Sequence, residues 1–450
     1  MKKFVMFMFL VMLTVFVGAA AAEDTITVMV PPVSGTYLDD IDVWAAEYME
    51  ANPDIKIEVI KTSWEDHNGK LQTMAAAGEA PDIAEVSYSA IGSYVELGVG
   101  IEINKYLDPE RLADYDQNAL DYMSIEGNVY GLPLYITIQA IGGNKEMLEA
   151  AGADIASIQA NGWSLDEFME VIKNGTKDET FGFVFANAGV TASDFLNIFG
   201  VSAELTNAFT EDLKYTYTSD NMLKLLEAVE TMTKSGYMPN YGVEAGKRMV
   251  MCETGNAMIF GKAMPLFELN IKKNNAAIDA NDGSAVADSI KLDYVFLPVP
   301  TMDGMQESCF GSVDGLIALR NNNTTDEHLK NVVAFLDYLC SGDRAAIVDA
   351  PLLLKPVCES GREAYPKYEV TGLDEGNVAA AARSISLVVA PPAGVTAEQS
   401  ANAKLLMDET IIPKFQALLA GEATAQEAFD AIKAAALEVF DESDCVFGAL

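Results

Sequence analysis

Apolar residues in the first hundred positions fall into two alternating rhythms. Residues 25–30 form a short β-rich run that Pro31-Pro32 ends. Ile41, Trp44, Ala45 and Tyr48 then recur at the i, i+3, i+4, i+7 spacing of one helix face, and Asn52-Pro53 stops the pattern. Ile55, Ile57 and Val59 alternate with charged residues, as a half-buried strand requires. A further helix is expected over about 66–77, ending near Gly78, and Pro81-Asp82 leads into the apolar residues 83–86. Strand, helix, strand, helix, strand at short spacing predicts an α/β fold with a parallel sheet and helices on its faces.

The same grammar runs to the end of the chain. Ser164 and Glu167 form a capping box before Leu165, Phe168, Met169 and Ile172, which share one helix face. Thr324 with Glu327 is expected to cap a helix carrying Leu329, Val332, Val333, Leu336 and Leu339, and Thr424 with Glu427 a last one carrying Phe429 and Ile432. Residues 294–297 and 316–319 read as strands, and the polar residues 272–289 as a surface loop or frayed helix. No internal repeat and no long low-complexity linker interrupts the pattern. The length suits two or three domain-sized units.

The N-terminus follows a different rule. Lys2 and Lys3 precede an apolar run over residues 4–17, then Gly18 and four alanines. A basic start, an apolar centre and a small-residue end predict a secretory signal peptide over residues 1–22, cleaved after Ala22. The run is shorter than the roughly 20 apolar residues that a membrane span needs. No cysteine stands near the cleavage point, so the expectation is a soluble exported protein without a lipid anchor.

Charge and cysteines narrow the chemistry. The formal net charge is −38, and losing Lys2 and Lys3 makes it more negative still. Such a surface repels nucleic acid and anionic lipid, whose binding needs basic groups that displace counterions. Cys252, Cys309, Cys340, Cys358 and Cys445 are an odd number, so at least one thiol is left unpaired, and spacing does not fix any pairing. There is no C-x-x-C, G-x-S-x-G, H-E-x-x-H, P-loop or G-x-G-x-x-G motif, and the histidines are His67 and His328 alone. No catalytic residue, metal site or cofactor is expected.

Several short blocks, in order, resemble one family. They are Ala51-Asn52-Pro53-Asp54-Ile55, Ala77-Gly78-Glu79-Ala80-Pro81-Asp82-Ile83 and Gly127-Asn128-Val129-Tyr130-Gly131-Leu132-Pro133. Gly143-Asn144-Lys145, Gly162-Trp163-Ser164-Leu165-Asp166-Glu167-Phe168, Gly255-Asn256-Ala257-Met258, Leu297-Pro298-Val299-Pro300 and Phe335-Leu336-Asp337-Tyr338-Leu339 follow at ordinary spacing. Together they make the chain similar to the family 1 extracellular solute-binding proteins, the maltose-binding-like components of ABC importers. The likeness departs at Gly142-Gly143, where members often carry a tyrosine before Asn-Lys, and at Gly261-Lys262-Ala263-Met264, where an aromatic is common. Of the three tryptophans, Trp44 and Trp163 read as packing residues.

The resemblance implies a two-lobe, periplasmic-binding-protein-like fold with a hinge and a ligand cleft. Residues 23–137 and 313–345 are expected in one lobe, residues 138–312 and 346–450 in the other. It implies capture of a carbohydrate by a monomer for a membrane permease. The alternatives are a non-sugar solute such as a polyamine, a sensor partner in place of the transporter, and a secreted glycoside hydrolase. In parallel sheets ligands bind beyond the carboxyl ends of the strands, which points to loops 32–37, 62–67 and 87–94, the crossover 135–139, and residues 261–267 and 311–314. A neutral polyol is held by carboxylates and amides that bond its hydroxyls and by an aromatic face. The ligand-binding candidates are therefore Trp64 as platform, with Glu65, Asp66, Tyr88, Tyr135, Asn187 and Asp314.

Overall fold

The computed structural model describes residues 24–188, 191–392 and 394–450. The expected signal peptide, residues 1–22, and the side chain of Glu65 lie outside the described residues. The strands of the main sheet are β1 (Asp24–Val30), β2 (Ile55–Lys61), β3 (Ile83–Ser87), β4 (Gly131–Asn144), β5 (Phe181–Val184), β6 (Ala257–Ala263), β7 (Tyr294–Leu297) and β8 (Phe310–Ala318). The helices that matter below are α1 (Tyr37–Ala51), α2 (Trp64–Ala76), α3 (Tyr88–Glu96), α4 (Leu165–Gly175), α5 (Phe267–Ala280), α6 (Asp326–Cys340), α7 (Gly342–Asp349), α8 (Ala397–Leu406), α9 (Ile412–Leu419) and α10 (Ala425–Val439).

The strands join in the order β2-β1-β3-β8-β4-β6-β5, with β7 also on β4. β1 pairs in parallel with β2 and β3, as the alternation predicts, and β5 with β6. The strands linking the two halves depart from that expectation: β8 runs antiparallel to β3 and to β4, and β4 antiparallel to β6 and β7. β4 pairs β8 over Gly131–Gln139 and then turns to β6 and β7 over Ala140–Asn144, with a register shift between Ala140 and Ile141. One strand thus belongs to both halves of the sheet.

Each half carries its own core. In the first, Ile26, Val28 and Val30 face Ile41, Trp44 and Tyr48 of α1 and the apolar stripe of α6, while Met29, Ala84 and Val86 face Leu71 and Ile91 on the opposite side. A sheet covered on both faces needs near-continuous apolar strands, which β1 and β3 have. In the second half, Phe168, Phe183, Phe199, Phe195 and Phe415 pack ring on ring with centroids 5.0–5.6 Å apart along consecutive contacts. Trp44 and Trp163 are buried, and Trp163 donates its indole N–H to the Pro298 carbonyl at 2.9 Å. Val348, Leu352, Leu354 and Cys358 pack in the first core, whereas the chain from Ala380 to Cys445 packs in the second. All five cysteines are buried and free.

Two local expectations change. α6 is capped by Thr325, whose hydroxyl accepts the His328 N–H, whereas Thr324 bonds with Asn321 in the preceding turn. The polar stretch from Lys272 enters α5, which ends at Asn281 in the left-handed conformation. The capping boxes at Ser164 and Thr424 form as the sequence predicts.

α7 ends on Asp349, which is fully buried with no partner for either carboxyl oxygen among the described residues. Burial drives its pKa well above the carboxylate range. A raised carboxyl pKa supports the fold below the ordinary value, and that support is lost as pH rises. Asp349→Ala is expected to raise stability at neutral pH by about 1 kcal/mol, since an unpaired buried polar group costs about 1–3 kcal/mol and the cavity left is small. Urea unfolding at several pH values checks it: the stabilisation should shrink toward pH 4.

Candidate functional site

The changeover of β4 from one half to the other leaves a cleft of about 270 Å³ along its middle. Thr137, Ile138 and Gln139 of β4 form the floor. The first half contributes Val33, Trp64, Leu352 and Leu354, and the second Lys262, Met264, Pro265 and Leu266. Asp314 of β8 and Tyr135 of β4, opposite one another in register, complete the lining. The register shifts immediately after Asp314, where Leu134 of β4 is the extra residue between Tyr135 and Pro133, an irregularity of the kind found beside sites.

Trp64 to His67 were expected in a loop, and they form the first turn of α2. Ser63 is its cap and accepts the Asp66 N–H at 3.1 Å. A helix turns about 100° per residue, so neighbours in sequence separate around the axis. Trp64 stands at the cleft, 48% exposed, its indole N–H donating to the Pro32 carbonyl at 3.0 Å. Asp66 is exposed and accepts from the Ser63 hydroxyl at 3.0 Å, away from the lining. His67 is buried against β3, with Nε2 2.7 Å from the Glu85 carbonyl.

Behind the lining lies a carboxyl that the sequence reading missed. Glu85 of β3 is buried, and the Tyr135 hydroxyl donates to its Oε1 at 2.8 Å. Burial first, and then the charge of Asp314, drive the Glu85 pKa well above the carboxylate range. Burial also raises Asp314, to about 6, although bonds from Ser87 and Tyr135 and the charge of Lys262 oppose the rise. A signal for Glu85 was present: it is the one charge inside the apolar run Ile83–Ser87.

On the other wall, Lys262 bonds Asp194 at 2.8 Å and adopts a left-handed φ of 50°. Buried Arg248 holds that turn by donating to the carbonyls of Gly261 at 2.9 Å, Lys262 at 3.1 Å, and Ala245. Glycine at 261 has a packing reason, because a Cβ there would fall 1.8 Å from the Phe185 ring. Gln139 is buried at the floor, and its Oε1 has no partner among the described residues.

Tyr88 and Asn187 stand outside this lining. Tyr88 opens α3 and packs its ring edge-on to Tyr122, with burial foremost pushing its hydroxyl up to about 12. Asn187 is buried, and its Oδ1 accepts the Val243 N–H at 2.7 Å, tying two loops together. The structure thus brings Trp64, Tyr135 and Asp314 to one cleft. It does not bring Asp66, Tyr88 or Asn187 there.

Among the described residues no helix is long and apolar enough to cross a membrane, and no group of His, Cys, Asp or Glu side chains could hold a metal ion.

Known proteins share this architecture. An ABC substrate-binding protein of Listeria monocytogenes, solved with cycloalternan, superposes with a TM-score of 0.67 at 19% identity, covering 91% of this chain and 97% of that one. The maltose-bound MalE3 of T. maritima gives 0.69 at 16% identity, covering 92% and 100%. The fold is therefore the two-lobe fold of these binding proteins. In sequence, an arabinooligosaccharide-binding protein of Halalkalibacterium halodurans is 24% identical over 200 residues, 43% of either chain. A lipoprotein of Streptomyces antibioticus is 25% identical over 136 residues, 30% of either chain. The chain thus spans less than half the length of these curated relatives. The model of the bacterial extracellular solute-binding proteins matches residues 43–357, and the chain belongs to that family.

Proposed function

We propose that this protein captures a carbohydrate, a mono- or oligosaccharide, in the interlobe cleft and presents it to the membrane permease of an ABC importer. The supporting observation is the lining itself: an exposed indole at the edge beside hydrogen-bond acceptors, the Asp314 carboxylate and the unpartnered Gln139 Oε1. Hydroxyls donate to such acceptors, and the C–H face of a sugar ring stacks on an indole. The names of the relatives point the same way. In this reading Trp64, Gln139, Lys262 and Asp314 touch the solute, Tyr135 is held for it by Glu85, and Asp66, Tyr88 and Asn187 support the surrounding loops. In this reading the lobes keep the expected bounds, 23–137 with 313–345 and 138–312 with the remainder, except that residues 346–368 go with the first lobe, a change supported by Val348, Leu352, Leu354 and Cys358 in its core. Ligand binds the closed arrangement better than the open one and so drives hinge closure. The site of action is extracytoplasmic, as family membership implies, with export through residues 1–22 and a monomeric product.

A thermal-shift series against maltotriose, an arabino-oligosaccharide, glucose and spermidine tests this. Ligand at about 100 times its dissociation constant adds about 2.7 kcal/mol. A shift with a sugar supports the reading, and Trp64→Ala should then weaken that sugar about tenfold or more by removing apolar contact. A shift with spermidine alone would replace the sugar with a cation. Hydrolysis of any oligosaccharide would make the protein an enzyme.

A further inference from the structure

Glu85 and Asp314 are diagonal neighbours on one face of the sheet. Asp314 stands opposite Ser87 on β3 and opposite Tyr135 on β4, and Glu85 lies two positions before Ser87, so both carboxyls and the tyrosine share a side. Asp314 borders the cleft and Glu85 sits behind it, only 1% exposed. No cation pairs with Glu85 among the described residues, its Oε2 has no partner, and the Tyr135 hydroxyl is the donor on its Oε1. The groups facing Glu85 come from every neighbouring element: Tyr37 of α1, Tyr135 of β4, Asp314 of β8 and Cys340 of α6, none of them a cation. His67 reaches only its backbone carbonyl. Asp314 is faced by Ser87, Tyr88, Tyr135, Lys262 and Asp194.

These positions dictate how protons divide. The tyrosines at Glu85, Tyr37 and Tyr135, are neutral donors and no cation joins them, so two carboxylates sharing one face repel. The carboxyl without water or cation must keep its proton, while the one with the cleft, Ser87 and Lys262 beside it can ionise. The shifts of both groups run in that order.

We propose that Glu85 and Asp314 hold one proton between them at neutral pH, on Glu85, so that Asp314 offers the cleft a carboxylate and solute capture is lost on acidification. The first part concerns the protein alone; the coupling to capture rests on the cleft being the solute site. A proton added to Asp314 removes an acceptor for ligand hydroxyls and puts an O–H donor in its place.

Carboxyl ¹³C NMR of the intact protein tests the proton arrangement without any ligand. The Glu85 signal, assigned by its loss in Glu85→Gln, should remain that of a carboxylic acid through neutral pH. The signal lost in Asp314→Asn should titrate with a midpoint near pH 6. A Glu85 carboxylate at neutral pH would overturn the proposal. Maltotriose titrations then test the coupling: affinity should fall about tenfold per pH unit below the midpoint, and Asp314→Asn should bind weakly with a flat profile. Affinity that stays level through the midpoint in the native protein would overturn the coupling. Failure of maltotriose to bind at any pH would count against the sugar reading, and the NMR midpoints would still decide the shared proton.

Discussion

His328→Ala is expected to cost the fold about 3 kcal/mol. The imidazole bridges two carboxylates, with Nδ1 2.7 Å from Asp24 and Nε2 2.9 Å from Asp82. Asp82 is buried and also accepts from the Thr27 N–H, the Thr27 hydroxyl and the Asn321 amide. Breaking a buried ion pair from one side costs about 3–5 kcal/mol, and the donors left on Asp82 place this case at the lower end. The bond to Asp82 first, with Asp24 adding to it against the opposing effect of burial, raises the His328 pKa to about 9. A histidine raised in the fold contributes stability that is complete below its ordinary value, about 6.5, and is lost as pH rises through 9. Urea unfolding of the native protein should show that decline between the two values. In His328→Ala the decline should vanish, with stability low throughout. An unchanged slope in the variant would assign the pH dependence to another group.

Gly182→Ala is expected to destabilise by a similar amount, about 3 kcal/mol, at the upper end of ordinary overpacking. A Cβ on Gly182 would lie 2.1 Å from the Ile172 carbonyl oxygen. That oxygen belongs to α4, and it already accepts the Thr176 hydroxyl at 2.7 Å, while Thr176 in turn accepts the Gly182 N–H at 3.1 Å. Strand and helix backbone meet with no side chain between them, so relief requires moving an element, not a rotamer. Gly98→Ala is a control for contact, because its Cβ would meet nothing within 4 Å; its positive φ of 71° carries a separate, smaller cost. A thermal melt in which Gly182→Ala is no worse than this control would contradict the close approach.

These two sites also show what sequence could and could not supply. Helices with an apolar stripe, such as α1 and α6, were legible because periodicity and caps are written within a few residues. The buried strands β1 and β3 were legible for the same reason. The double membership of β4 was not, since pairing with β8 depends on residues some 175 positions away. The start of α2 was placed at about 66, after Trp64, which hid the rotation that separates Trp64 from Asp66. Thr324 and Thr325 offered equivalent hydroxyls one residue apart, and Thr324 is taken by the turn at Asn321, whose amide is held from afar by Ala80 and Asp82. At the cleft, Tyr135 and Asp314 followed from the crossover and loop positions that the family resemblance implies. Glu85 was overlooked because its segment reads as plain core, although a charge in such a run needs an explanation. Arg248 lay beyond reach, because its role is visible only from the carbonyls it bonds.

The shared strand β4 has a consequence for how the chain comes into being. The first lobe's sheet lacks β8 until residues 310–318 have been made, and the second lobe's core waits for Phe415 and Phe429. The first half cannot close until most of the second has been made, and the second closes last, after Ala380–Cys445 have followed. Loop-closure entropy must be met before distant contacts return anything. Such a molecule keeps its earliest strands waiting for partners made hundreds of residues later.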